Sequence, residues 1–208
     1  MSTAPNPFDL TGRKALVTGG ATGIGKGIAL GLAAAGADVA LTYRSHAPGE
    51  VQAEIEAQGR RSAAVRADFT GMDEAAAEEV VAFAAEALGG LDILVNNAGI
   101  IHREESAEMP FDDWRRVLSV NLDSVWLLSQ AAGKRMVAQG SGKIVIVASA
   151  PLRKAATSSA VKPTRATQPI WVQNVYWYCL GWPLSTCSVM LRVSRVSSGV
   201  MIVAPATA

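Results

Sequence analysis

Short β-branched runs alternate with longer stretches of helical period from Arg13 to Ser149, and few architectures accommodate that order. "KALVTG", "DVALTY", "SAAVRAD", "LDILVNNAG" and "KIVIVAS" read as buried strands. The first is followed by "GIGKGIALGLAAAGA", a helix closed by Gly36, and the second by the shorter amphipathic "GEVQAEIEAQG". In "MDEAAAEEVVAFAAEALGG" the residues Val80, Phe83, Ala84, Ala87 and Leu88 recur at helical spacing, and Gly89 supplies a left-handed stop. A fourth helix is expected from near Pro110 to about Gln139, with Asp112 and Asp113 at the positive end of its dipole. Trp114, Val117, Leu118, Leu122 and Val125 make its apolar face, and Asn121 falls inside that stripe, where a polar side chain needs a partner. Strands separated by helices form βαβ units, so the predicted class is α/β with a parallel sheet.

At 208 residues the chain suits one such domain. Its formal charge of +1 comes without a basic stripe, which argues against nucleic acid or a membrane surface and for a small-molecule partner. The opening "MSTAPNPFDLTGRK" has prolines and Asp9 where an export signal needs an uninterrupted apolar run. Cys179 and Cys187 form neither a disulfide framework nor a metal cluster, so a cytoplasmic protein without a metal site is expected.

Those averages conceal a break. Residues 1–149 hold 13 Lys and Arg against 18 Asp and Glu, whereas residues 150–208 hold 6 against none. Of the 19 glycines, 17 precede residue 150. Residues 150–169 have neither helical nor strand spacing, and the uncharged stretch 166–191 is too often interrupted by Gln, Asn, Pro, Ser and Thr for a membrane helix. The expected organisation is therefore a nucleotide-binding domain at 1–149 and an irregular tail at 150–208.

"VTGGATGIG", Val17 to Gly25, lies where the first strand passes into the first helix. Glycines 19, 23 and 25 permit a tight turn and a close backbone approach, so the helix N-terminus can face a pyrophosphate. The spacing T-G-x-x-x-G-I-G resembles that of the short-chain dehydrogenase/reductase family. Asp68 after the third strand, "NNAG" at 96–99, Asn121 in the long helix and Ser149 ending the fifth strand follow in the same order. The resemblance covers residues 8–149 and implies a Rossmann-type doubly wound parallel sheet, here incomplete at its C-terminal side.

It also implies roles. Gly19, Thr22, Gly23, Ile24 and Gly25 would hold the diphosphate of a dinucleotide, Asp68 and Phe69 would border its adenine, and Asn97, Ala98 and Gly99 would lie along it. Asn96 would tie neighbouring strands together. At the end of the second strand an acidic residue would bond a ribose 2′-hydroxyl and repel a 2′-phosphate. This chain has "TYRSH" there, and Arg44, helped by Ser45, could pair with the phosphate, which favours NADP(H) over NAD(H). Asn121 and Ser149 match the family's catalytic asparagine, which holds a water of the proton relay, and its substrate-positioning serine.

The family's general acid/base tyrosine and its lysine would fall near positions 162 and 166, where this chain has Lys162 and Ala166. No Tyr-x-x-x-Lys occurs after Ser149: the residues four beyond Tyr176 and Tyr178 are Leu180 and Trp182. Turnover by this chain is therefore expected to be negligible. A reading-frame change soon after codon 149 and a divergent tail both account for the break. "IIHREE", followed by the tryptophan and "SQAA", resembles the branch containing 2-deoxy-D-gluconate 3-dehydrogenases and 2-dehydro-3-deoxy-D-gluconate 5-dehydrogenases. That implies a sugar acid or polyol substrate, with Arg103 as a candidate carboxylate contact. The family is usually homotetrameric. Three readings stand: an oxidoreductase by origin, a nucleotide-binding protein without catalysis, or a poorly folding product.

Overall fold

A computed structural model of the chain describes residues 8–105 and 107–148. Five parallel strands form its sheet: β1 (Lys14–Val17), β2 (Asp38–Tyr43), β3 (Ser62–Arg66), β4 (Ile93–Asn96) and β5 (Lys143–Ile146), in the order β3-β2-β1-β4-β5. The chain steps outward from β1 to β3, then returns across β1 to place β4 on its other side. This is the predicted doubly wound α/β arrangement, with its topological switch between β1 and β4.

Alternation along the strands feeds two cores. Leu16, Ala40 and Leu94 face one side of the sheet, and Val17, Val39, Leu41 and Val95 face the other. Helix α1 (Gly23–Ala34) and α2 (Gly49–Ala57) cover the second set through Ala29, Ala33, Val51 and Ile55. Helix α3 (Glu74–Leu88) covers the first through Val80, Val81, Ala84 and Leu88. Asp73 caps α3 by accepting the Ala76 N–H at 2.8 Å, and Gly89, at φ 75°, ends it.

The expected single helix from Pro110 to Gln139 is three pieces. Helix α4 (Phe111–Leu118) runs into a π-helical turn at Ser119–Asp123, which continues as α5 (Ser124–Ala138). A π turn inserts one residue into the helical register, so a stripe drawn through it at constant period changes face. Trp114 is 49% exposed and Leu122 40%, contrary to the expected apolar face. The buried positions are instead Val120, Ser124, Leu128, Ala131 and Ala132, a helical repeat that begins inside the turn. Asn121 accordingly leaves the stripe and is exposed. Val147 N–H bonds the Asn96 carbonyl just beyond β5. Ser149 and the expected tail lie outside the described residues.

Candidate functional site

The carboxyl ends of β1 and β4 diverge at the switch point, and the cleft between them has a volume of about 500 Å³. Gly19, Thr22, Ile24, Gly25, Arg44, Asp68, Phe69, Asn97, Ala98 and Gly99 all line it, so the fold brings together ten residues singled out from sequence. Gly23 sits in the same turn at φ 54°, a left-handed conformation that glycine adopts without strain.

Two threonines to which the motif reading gave no role frame the cleft. Thr18, directly after β1, is 1% exposed. Its Oγ1 accepts the N–H groups of Asn97 and Ala98, both at 2.9 Å, and donates to the Val95 carbonyl at 3.4 Å. Thr42, in β2, accepts the Gly19 N–H at 3.0 Å through Oγ1, while its carbonyl accepts the Gly20 N–H at 3.1 Å. Asn97 completes the frame by donating Nδ2 to the Thr18 carbonyl at 3.0 Å. Strand-end threonines beside a glycine turn were the available signal, since a buried hydroxyl needs partners and the turn has backbone groups to offer.

Glycine at position 25 is a packing requirement. A Cβ there would overlap the Gly19 carbonyl oxygen and lie 2.6 Å from Asn97 Nδ2. The first turn of α1 therefore rests directly on the glycine turn. Thr22 occupies the N-cap without a side-chain capping bond, and no acidic residue occupies the first turn. Those N–H groups and the positive end of the helix dipole thus face the cleft, an arrangement suited to a phosphate. Ile24, 67% exposed, projects from the same turn.

Phe69 lines the cleft, yet it is only 6% exposed and belongs to the core beneath α3. Asp68 beside it is exposed. The Thr70 N–H, at 2.9 Å, holds the Asp68 carboxyl below the ordinary carboxylate range, with the Thr70 hydroxyl, Arg44 and Arg66 acting in the same direction. Arg44 extends from the end of β2, and its guanidinium makes no hydrogen bond or ion pair among the described residues. Ser45 and His46 follow on the cleft wall, joined by a 3.2 Å contact between Ser45 Oγ and His46 Nδ1.

Asn96 is 2% exposed and donates Nδ2 to Ser129 Oγ at 2.9 Å. It therefore ties β4 to α5, where a link between strands was expected. Asn121 lies across the loop that follows β4. Its Oδ1 accepts the Ile100 N–H and its Nδ2 donates to the Ile100 carbonyl, both at 2.9 Å. The π turn sets this geometry by moving Asn121 off the buried face.

Further along that loop, His102 Nε2 lies 2.8 Å from Glu104 Oε2, and His102 Nδ1 lies 3.9 Å from Asp113 Oδ1. The ligand atoms fall within 4.8 Å of one another. However, the two carboxylates face different ring nitrogens, and Asp113 also pairs with Arg116 at 2.9 Å, so the group serves as a clamp between the loop and α4. Arg103 points into solvent without a hydrogen bond or ion pair among the described residues.

Residues 13–161 match the short chain dehydrogenase family. The chain is 46% identical over 144 residues to a 2-dehydro-3-deoxy-D-gluconate 5-dehydrogenase of Bacillus subtilis, covering 68% of this chain and 55% of that one. It is 38% identical over 146 residues to a gluconate 5-dehydrogenase of Gluconobacter oxydans, covering 70% and 56%. Among solved structures, a short chain dehydrogenase from Burkholderia cenocepacia in complex with NADP superimposes with a TM-score of 0.62 at 46% identity, covering 67% of this chain and 56% of that one. The chain thus spans a little over half the length of the curated relatives it matches.

Proposed function

This chain belongs to the short-chain dehydrogenase/reductase family, and from that premise we propose that it is a nucleotide-binding member of a sugar-acid oxidoreductase branch that retains the NADP(H) cleft but not the proton-transfer machinery. The observation that carries the reading is the frame around the cleft: Thr18 and Asn97 lock the glycine turn to the loop after β4, and α1 opens onto the gap. When bound, the nicotinamide cofactor supplies or accepts a hydride. The chain's own residues bind and orient it.

Gly19, Gly23 and Gly25 let backbone N–H groups at the α1 terminus reach the diphosphate, where they replace the bonds it would make to water. Arg44 would meet a 2′-phosphate through charge-assisted bonds from its unengaged guanidinium. Asp68 and the backbone at Phe69 would border the adenine, and Asn97, Ala98 and Gly99 would follow the cofactor toward its reactive end. Asn121, held against Ile100, would keep the loop after β4 in register beside that end. A sugar acid or polyol is the substrate class, as supported by the gluconate-type relatives, with Arg103 as the cation available to its carboxylate.

Proton transfer is where the chemistry fails. Hydride movement to or from a secondary alcohol carbon requires a group that takes or gives the hydroxyl proton, typically worth about 10²–10⁴-fold in rate. Lys162 and Ala166 occupy the positions expected for the tyrosine and lysine. We read residues 1–149 as the nucleotide-binding domain and 150–208 as a tail without the family pattern. Calorimetric titration of the full chain with NADP⁺ and NAD⁺, paired with an absorbance assay at 340 nm on gluconate and 2-dehydro-3-deoxy-D-gluconate, tests both halves. Saturable NADP⁺ binding with no turnover is expected. Absence of binding by either nucleotide refutes the cleft assignment, and steady turnover refutes the loss of catalysis.

A further inference from the structure

The backbone of Arg44 is held by a second arginine that no motif points to. Arg66 closes β3, directly opposite Tyr43 in the β2–β3 register, and its Nε donates to the Arg44 carbonyl at 3.0 Å. A guanidinium has five N–H donors, so this bond leaves both terminal NH₂ groups of Arg66 unspent. Arg66 and Arg44 are the solvent-exposed last residue of one strand and first residue beyond its neighbour; Arg44 lines the cleft, and Arg66 stands one residue outside its lining, next to Ala67 and Asp68.

Charge at the cleft rim makes the second arginine necessary. Asp68 stands two residues beyond Arg66, and both arginines act on its carboxylate. With Asp68 ionised, Arg44 alone would leave the rim neutral, whereas Arg44 and Arg66 together leave it with one net positive charge. A phosphate dianion gains little from a neutral rim and substantially from a positive one at short range. The bond from Nε also holds the peptide that follows the Arg44 Cα, so less backbone freedom has to be lost at this position when phosphate binds.

We propose that Arg66 is a positioning residue for the ribose 2′-phosphate, setting the preference for NADP(H) over NAD(H) by anchoring Arg44 and making the rim electropositive. This rests on the nucleotide-binding reading above. A lysine at position 66 would keep the charge but not the planar fork that grips the carbonyl while presenting further donors.

The experiment is calorimetric titration of the full chain, wild type, Arg66→Gln, Arg66→Lys and Arg44→Gln, with NADP⁺ and NAD⁺ at low salt. The NADP⁺/NAD⁺ affinity ratio is the readout, because NAD⁺ lacks only the 2′-phosphate. Arg66→Gln should lower the ratio about tenfold, equivalent to about 1.4 kcal/mol. NAD⁺ affinity should stay within about twofold, and Arg66→Lys should fall between wild type and Arg66→Gln. An unchanged ratio in Arg66→Gln, or an equal loss of both nucleotides, overturns the proposal. If Arg66→Gln fails to give a cooperative unfolding transition, Arg66→Lys decides by the same ratio. Failure of the wild type to bind either nucleotide refutes the nucleotide reading itself, and a wild type that binds both with an unchanged ratio in the variants refutes only the role of Arg66.

Discussion

Replacing Thr18 by valine tests whether the cleft is framed as described. Valine matches threonine in shape, so no cavity opens, but the substitution removes the acceptor of two N–H groups and the donor to one carbonyl. A buried donor left without a partner costs about 1–3 kcal/mol. Asn97 and Ala98 are only partly buried, which places each N–H in the lower half of that range, so the two together should cost about 2–4 kcal/mol. Against a total stability of about 5–15 kcal/mol that is a large fraction. Thr18→Ser keeps the hydroxyl and loses one methyl, a change of about 1 kcal/mol. Urea unfolding of the full chain followed by circular dichroism is the assay. With an m-value of about 1–3 kcal/mol/M, Thr18→Val should lower the midpoint by about 0.7 M or more at constant slope, and Thr18→Ser by clearly less. A Thr18→Val midpoint indistinguishable from wild type, or a Thr18→Ser loss as large, would show that the hydroxyl does not hold the two loops.

Two further outcomes follow from the same geometry. Gly25→Ala should weaken NADP⁺ binding by more than about tenfold and cost about 1–3 kcal/mol, because the added methyl overlaps the Gly19 carbonyl. Gly27→Ala, with nothing within 4 Å of its Cβ, should instead stabilise α1 by about 0.5–1 kcal/mol; equal denaturation midpoints for the two variants would contradict the packing argument. Asp38 loses hydration on burial, but bonds from the Arg61 N–H and guanidinium, each at 2.9 Å, outweigh this and lower its pKa. A lowered folded pKa contributes stability that is present above the ordinary carboxylate range and lost as pH falls through the folded value, so stability should decline below about pH 4. Asp38→Asn should flatten that decline in a series of urea midpoints from pH 7 to pH 3, and an unaltered slope would remove Asp38 as its source.

The sequence by itself determined the strands, the first three helices and the glycine turn, because each rests on a short-range cause. Strand runs show their burial in β-branched composition, α1 and α3 show their ends in Gly36 and Gly89, and the glycines of the turn stand at spacings that only a strand-to-helix crossing needs. Ten residues singled out mainly through the family resemblance share one cleft lining, since βαβ handedness brings the ends of β1 and β4 together once the order of elements is known. Tertiary structure decided the rest. The π turn at Ser119–Asp123 leaves no mark in a helical repeat, yet it rotates Asn121 off the buried face and exposes Trp114 and Leu122. The partners of Thr18, Thr42 and Arg66 cannot be read along the chain, although the threonines' place beside the glycine turn hints at a role, because they stand 79, 23 and 22 residues away and come within hydrogen-bond range only when the strands pair. Local periodicity reports which face a residue takes only while the helical register is unbroken; which distant backbone group needs its hydrogen bond is settled only by packing.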